Sequence, residues 1–304
     1  MPAKLSVNIG KLKLKNPVMV ASGTFGYAEE FRDFMDLNKL GAIVTKTITL
    51  QPRRGNPVPR TCETPAGMLN SIGLENPGLE VFIKEKLPIL HKIGVPLIVS
   101  IASESDPKDF IILARHLDKS KAVAALELNI SCPNLQHTKL ISQDAKETYN
   151  LVRGVRKVTQ KTLITKLSPN VTDIAEIALA AQKAGSDAVA LVNTINAMCI
   201  DVNKRSPKIA MVTGGLSGPA IRPVAVRMVW EAYRKIKIPI IGMGGIIDTS
   251  SALEFILAGA TAVSLGTANF INPKVSIEII EGLKKYLIQN KIKDIKNLIG
   301  GLRI

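Results

Sequence analysis

The sequence predicts an α/β fold: a single (β/α)8 TIM barrel over residues 1–304, with an N-terminal β-hairpin and long βα-loop insertions. Three observations lead there. Eight short apolar runs recur, at residues 18–21, 42–45, 97–101, 125–130, 163–167, 188–192, 238–243 and 262–265. They are rich in Val, Ile and Leu and mostly unalternating, the pattern of strands buried on both faces of a parallel sheet. Segments of helical periodicity separate them, and a barrel of this kind needs about 250 residues, which the chain exceeds with room for insertions. Periodicity alone leaves an open doubly wound sheet as the alternative. Finally, polar, glycine or lysine residues follow nearly every run, and in a barrel they converge on the rim that carries the active site.

In chain order, a hairpin is expected from residues 5–9 and 12–14, turning near Gly10. Pro107 opens a helix over 108–117, and the 173–184 helix ends at Gly185, which takes the C-cap role. Pro223 sits in the first turns of a helix running through Trp230 and Tyr233, and a helix over 274–287 closes the series. Two connections, 48–76 and 194–218, exceed the ordinary loop length of about 12–15 residues and are expected to be binding segments.

Composition narrows the function. Hydrophobic residues make up 46 % and charged residues 21 % of the chain, ordinary for a soluble enzyme with a sizeable core. The net charge of +15 comes from dispersed lysines, mildly concentrated at Lys284, Lys285, Lys291, Lys293 and Lys296. Aromatics are 4 %, too few for base-stacking platforms, so a solvated lysine surface is expected and no nucleic-acid partner. The uncharged stretch 255–271 is broken by Gly259, Thr261, Ser264, Gly266 and Asn269, and reads as a helix end, a turn and a buried strand rather than a membrane span. The N-terminus lacks a signal-peptide pattern. Three scattered cysteines, Cys62, Cys132 and Cys199, fit a reducing, cytoplasmic setting. With no CxxC, HExxH or Cys/His cluster, no metal and no iron–sulfur cluster is expected in this chain.

The chemistry concentrates after the runs. Gly242-Met-Gly-Gly-Ile246 and Leu265-Gly-Thr-Ala268 end the last two, where glycines let backbone N–H groups approach a phosphate. No GxGxxG or GxxxxGK[ST] occurs, which disfavours a Rossmann site or a P-loop. Lys46 and Lys166 end two apolar runs and point at a ligand, able to bind a carboxylate or stabilise negative charge. In Asn129-Ile-Ser-Cys-Pro-Asn134, Cys132 lies among hydrogen-bonding residues and is expected to be reactive; Cys62 and Cys199 are expected to be spectators.

These motifs together resemble the dihydroorotate dehydrogenases, flavoenzymes of pyrimidine biosynthesis. The match spans almost the whole chain: Asn16-Pro-Val, Ala21-Ser-Gly-Thr24, Lys46-Thr, Asn56-Pro, Asn70-Ser-Ile-Gly-Leu-Glu-Asn-Pro-Gly78, Asn129-Ile-Ser-Cys-Pro-Asn134, Lys166-Leu-Ser-Pro-Asn170, Asn193-Thr, Gly214-Gly-Leu-Ser-Gly-Pro-Ala-Ile221 and Gly244-Gly-Ile. Cysteine rather than serine at the base position is similar to class 1. The stretch from Gly214 through Arg222-Pro-Val-Ala-Val-Arg-Met-Val229 is similar to its NAD-linked subgroup, whose partner is an iron–sulfur flavoprotein carrying FAD and [2Fe–2S].

The resemblance implies oxidation of (S)-dihydroorotate to orotate with one FMN per chain. It further implies a homodimer joined by the iron–sulfur FAD subunit into a heterotetramer, away from any membrane. Cys132 would take the C5 proton while a hydride leaves C6 for FMN. Lys46, Asn70, Asn129, Asn193 and Thr194 would hold substrate, with backbone of Ser71, Ile72, Gly73 and Leu74 assisting. Lys166 would face the flavin N1/O2 side, and Lys46 and Asn129 would also touch the flavin. Ser22, Thr47, Ser100, Val192 and Gly218 would line the isoalloxazine and ribityl chain; Gly244, Gly245, Gly266 and Thr267 would bind the phosphate. The sequence departs from the family at Ser100, usually asparagine, at Leu135-Gln-His-Thr-Lys-Leu140, and at Asn196-Ala197, each lacking an expected glycine in the latter two cases. The alternatives are a fumarate-linked class 1 enzyme, an FMN-dependent tRNA dihydrouridine synthase, and a flavin-binding barrel without activity.

Overall fold

Short runs of Val, Ile, Leu and Ala with no polar alternation must be covered on both faces, and a barrel ringed by helices covers them. The computed structural model describes residues 3–103, 106–131 and 141–304. The chain opens with an antiparallel hairpin of β1 (Val7–Ile9) and β2 (Leu12–Leu14). Two barrel strands follow, β3 (Val18–Val20) and β4 (Ala42–Val44), then a hairpin of β5 (Thr61–Thr64) and β6 (Gly67–Asn70). The barrel continues with β7 (Leu97–Ile101), β8 (Ala125–Asn129), β9 (Thr162–Lys166) and β10 (Ala188–Leu191). β11 (Ile195–Met198), β12 (Ile200–Asp201), β13 (Ser206–Pro207) and β14 (Thr213–Ser217) lie outside it, before β15 (Ile240–Met243) and β16 (Ala262–Leu265) complete it.

The eight parallel strands close in the order β3-β4-β7-β8-β9-β10-β15-β16, with β16 returning to β3 through the pairs Val263↔Val18 and Leu265↔Val20. Every residue of the eight is buried. This is the (β/α)8 architecture that the unalternating runs predict, with strand ends moved by one or two residues.

Helices cover the outside, and the sequence explains their starts. Asp144, Asp173 and Asp248 cap the helices Ala145–Arg156, Ile174–Lys183 and Thr249–Ala258, each carboxylate accepting from first-turn N–H groups. Lys108–Asp118, Arg222–Tyr233 and Val275–Gln289 complete the regular set. The first crossover departs from the ideal: two 3-10 turns, Glu29–Phe31 and Leu37–Lys39, replace a helix. The second crossover helix widens into a π turn over Phe82–Lys86 before Leu87–His91. Pro88 lies just beyond, and a proline inside a helix has no N–H to offer the preceding turn and crowds its carbonyl.

The two long connections are where sequence and structure differ most. They read as loops, yet they build one four-stranded antiparallel sheet, β11-β14-β6-β5, on the rim of the barrel. β6 pairs with β14 through Gly215↔Asn70, Leu216↔Leu69 and Ser217↔Met68. Its glycines are there for backbone approach: a Cβ on Gly214 would lie 2.6 Å from the Asn70 carbonyl, and one on Gly67 would strike the Ser217 carbonyl.

Candidate active site

At the C-terminal mouth of the barrel, roofed by this second sheet, lies a cavity of about 320 Å³. That is within the range of ligand sites. Lys46, Thr47, Asn129, Lys166, Val192, Asn193 and Thr194 line it from the ends of β4, β8, β9 and β10, and Ser22 from the end of β3. Asn70, Ile72, Gly73 and Leu74 line it from the segment after β6, and Gly218, Gly244, Gly245, Gly266 and Thr267 from the far side. Residues spread over most of the chain therefore meet at one place.

Lys166 is the last residue of β9 and only 5 % exposed. Its Nζ reaches across the mouth to Ser22 Oγ at 3.2 Å, after the strand diametrically opposite. Among the described residues no carboxylate pairs with it or with Lys46. A buried ammonium held only by a hydroxyl is costly unless a ligand supplies negative charge or acceptors.

The asparagines form a network. Asn129 Nδ2 donates to Thr47 Oγ1 at 3.1 Å, and Asn129 Oδ1 accepts from Ser131 Oγ at 3.3 Å and Asn193 Nδ2 at 3.4 Å. Asn193 Nδ2 also donates to Ser131 Oγ at 3.0 Å, while its Oδ1 accepts from the Thr194 N–H at 2.8 Å. Asn70 Nδ2 donates to the Gly215 carbonyl at 3.2 Å, tying β6 to β14.

The segment from Asn70 to Gly78 is stiff for identifiable reasons. Asn76 Nδ2 donates to the Leu74 carbonyl at 2.7 Å and Thr49 Oγ1 at 2.8 Å; its Oδ1 accepts from the N–H groups of Thr49 at 3.1 Å and Gly78 at 2.9 Å. Gly73 and Leu74 both adopt left-handed backbone, φ 75° and 56°. For leucine that conformation costs on the order of 1–2 kcal/mol, so the surrounding bonds must hold it.

The opposite end is built to take an anion. Gly244 and Gly245 have φ 124° and 77°, and a Cβ on Gly245 would lie 2.7 Å from the Gly218 carbonyl. None of the amides of Gly244, Gly245, Gly266 and Thr267 has an acceptor among the described residues. A Cβ on Gly266 would meet no atom closer than 3.9 Å, so this amide borders open cavity. Convergent unpartnered N–H groups of this kind suit a phosphate.

Two expected site residues lie elsewhere. Ser100 is fully buried behind Thr47, its hydroxyl 2.9 Å from Thr47 Oγ1 and 3.0 Å from Glu127 Oε1; the short side chain is taken up below the cavity floor. Ser71 is likewise buried, and only its neighbours along the backbone line the cavity. Cys132 falls outside the described residues, as does the departure at residues 135–140. Cys62 and Cys199 are off the cavity, both as free thiols, with burial pushing the Cys62 thiol up. The sequence reading missed Thr24, Met68, Ser217 and Phe270, which also line the cavity. Thr24 and Ser217 sat inside quoted motifs; Met68 and Phe270 carried no signal, since one is in an unrecognised strand and the other is an ordinary apolar helix residue. Among the described residues no group of three His, Cys, Asp or Glu side chains is placed to hold a metal ion.

Comparison with known proteins agrees with this geometry. The family model for dihydroorotate dehydrogenase matches residues 4–287. The chain is 53 % identical over 303 residues to the dihydroorotate dehydrogenase B (NAD(+)), catalytic subunit, of Trichlorobacter lovleyi, covering 99 % of each protein. Like-named proteins of Geotalea uraniireducens and Thermoanaerobacter pseudethanolicus are 52 % and 51 % identical, over 98 % and 99 % of this chain and 98 % and 99 % of theirs. A match of that length, taking in both rim insertions and every barrel strand, leaves one assignment: the chain belongs to the dihydroorotate dehydrogenase family.

Proposed function

We propose that the chain oxidises (S)-dihydroorotate to orotate in the cytoplasm, as the FMN-binding subunit of an assembly that delivers electrons to NAD+. The observation that carries this is a single cavity with unpartnered glycine amides at one end and two lysines with the asparagines at the other. FMN, with its phosphate at Gly244, Gly245, Gly266 and Thr267, would supply a two-electron acceptor there. Lys166, buried at the cavity, would set its positive charge beside the isoalloxazine, in a setting of low dielectric where it acts strongly. Ser22, Thr47, Val192 and Gly218, which line the cavity, would flank the flavin along its length, with Ser100 supporting Thr47 from behind. Lys46 binds the substrate carboxylate, and Asn70, Asn129, Asn193, Thr194 and the Ile72–Leu74 backbone read the pyrimidine edge.

Cys132 takes the proton from C5, in keeping with its motif. The two electrons leave with the hydrogen on C6, so orotate gains its C5–C6 double bond and the balance closes. The relatives' names carry NAD(+), which favours an NAD-linked over a fumarate-linked route. Reoxidation then needs a second subunit with FAD and [2Fe–2S], bound to a homodimer of this chain as a heterotetramer. The test is an anaerobic absorption spectrum of the purified yellow protein. Dihydroorotate is expected to bleach the flavin band in stoichiometric amount; a band that stays unbleached rules the proposal out.

A further inference from the structure

Glu127 is a buried acid that the proposed chemistry leaves unused. It lies two residues before Asn129 on β8, hence on the same face, and is 1 % exposed. Its Oε1 accepts from Ser100 Oγ at 3.0 Å. A serine hydroxyl has one proton, so in its 2.9 Å contact with Thr47 Oγ1 Ser100 must be the acceptor. Thr47 has then given its proton to Ser100, and its oxygen is left to accept from Asn129 Nδ2 at 3.1 Å. That turns Asn129 Oδ1 the other way, toward the donors Ser131 Oγ and Asn193 Nδ2.

The protons thus run in one direction, from Asn193 through Asn129, Thr47 and Ser100 to the carboxylate. Ser100, Thr47, Asn129 and Ser131 are all buried, so water does not compete for these bonds. A carboxylate only accepts, whereas Ser100, Thr47 and Asn129 can each turn round. At the far end Asn193 is fixed on its own, its Oδ1 accepting from the Thr194 N–H at 2.8 Å and its Nδ2 donating to the Ser131 carbonyl at 3.2 Å. Without the acceptor-only end, Ser100 and Thr47 are free to reverse, and the orientation of the Asn129 amide is left to its longer contacts with Ser131 and Asn193, at 3.3 and 3.4 Å.

We infer that Glu127 is a positioning residue for the ring-binding site: through Ser100 and Thr47 its carboxylate holds the Asn129 amide in one orientation, while Asn193 is fixed separately by Thr194 and Ser131. It thereby sets the donor and acceptor that Asn129 presents to a planar ligand edged with carbonyl and N–H groups. The identity of that ligand rests on the function proposed above; the orientation of the Asn129 amide does not.

Two measurements on the full chain test this. Selective 15N-asparagine labelling reads the side-chain amides, assigned through Asn129→Asp and Asn193→Asp. Orotate titration of the FMN-loaded protein reads binding through the flavin band. Glu127→Leu is expected to shift the Asn129 amide resonances and raise the orotate Kd about tenfold, with FMN retained. Glu127→Gln keeps an acceptor for Ser100 but can also turn its N–H groups toward it, so it is expected to fall between wild type and Glu127→Leu in both readouts. Ser100→Ala cuts the same relay nearer the cavity and is expected to reproduce the leucine effect, with no further loss when the two are combined. Should Glu127→Leu fail to fold, Ser100→Ala decides alone. Unchanged Asn129 resonances, additive losses, or shifted resonances with an unchanged orotate Kd would each overturn the inference. If wild-type protein binds no orotate, the function proposal falls, and the resonances still judge Glu127.

Discussion

At the scale of single residues, the cavity is defined by what its side chains lack. Lys166 is buried with a serine hydroxyl at 3.2 Å and, among the described residues, no carboxylate, which a designed interior would avoid unless a ligand completes the site. Lys46 and Lys166 were legible in the sequence because a lysine ending an apolar run has no solvated place to go. Ser100 was read as a rim residue lining the flavin site, whereas it lies inside β7 in a second layer behind Thr47, since its depth depends on the shorter side chain and on Glu127 beneath it. For Cys132 the expectation comes from its motif. Cys132→Ala should retain FMN yet slow anaerobic flavin reduction by roughly 10²–10⁴-fold, the usual worth of a positioned base, while Cys132→Ser keeps some rate. Stopped-flow reduction by dihydroorotate measures both; near-normal reduction in the alanine variant would refute the assignment.

At the scale of elements, the rim sheet is what brings the Asn70 segment to the barrel. A Cβ on Gly215 would run into the Thr194 side chain, so β11 and β14 pack only because this strand lacks one. Gly215→Val should displace Thr194 and Asn70, raising the KM for dihydroorotate about tenfold while FMN content stays near normal. Loss of FMN instead would show that the sheet supports the cofactor end. On the outer ring, Asp248 caps Thr249–Ala258: its carboxylate accepts from the Ser251 N–H and hydroxyl, both at 2.7 Å. The Ser251 hydroxyl, and then its backbone N–H, hold this carboxyl below the ordinary aspartate range. A depressed folded value means the cap's contribution is present above the unfolded aspartate value and is lost as pH falls through the folded one. Asp248→Ala should therefore cost about 1 kcal/mol in urea unfolding at neutral pH, with the gap to wild type closing below roughly pH 4. A gap that persists in acid would show that the cap acts through something other than its charge.

At the scale of the whole molecule, the closed barrel gathers strand ends from residues 20 to 267 into one mouth, leaving the remaining surface to carry the +15 charge. Among the described residues no helix is long and apolar enough to cross a membrane. The proposed division of labour, with the final acceptor served by another subunit, has a direct consequence. Purified alone, the chain should be reduced by dihydroorotate but should form NADH at no more than a background rate. Adding the iron–sulfur flavoprotein should restore NADH formation, followed at 340 nm in the assay. Brisk NAD+ reduction by the isolated chain would contradict the division of labour.

The amino-acid sequence by itself determined the eight barrel strands, to within one or two residues, and most of the strand-end residues that meet at its mouth. Burial on both faces demands local runs of Val, Ile and Leu, and a functional residue at a strand end interrupts them visibly. Folding in three dimensions decided what joins distant segments. β6 and β14, tied by a hydrogen bond between residues 145 positions apart, pair because the barrel delivers both insertions to the same rim. Their half-exposed, glycine-bearing strands carry no apolar period of their own. The same holds for the Glu127–Ser100–Thr47–Asn129 relay, whose members come from three neighbouring barrel strands or their ends. Their partnership comes from strand register, and no pattern along the chain records it.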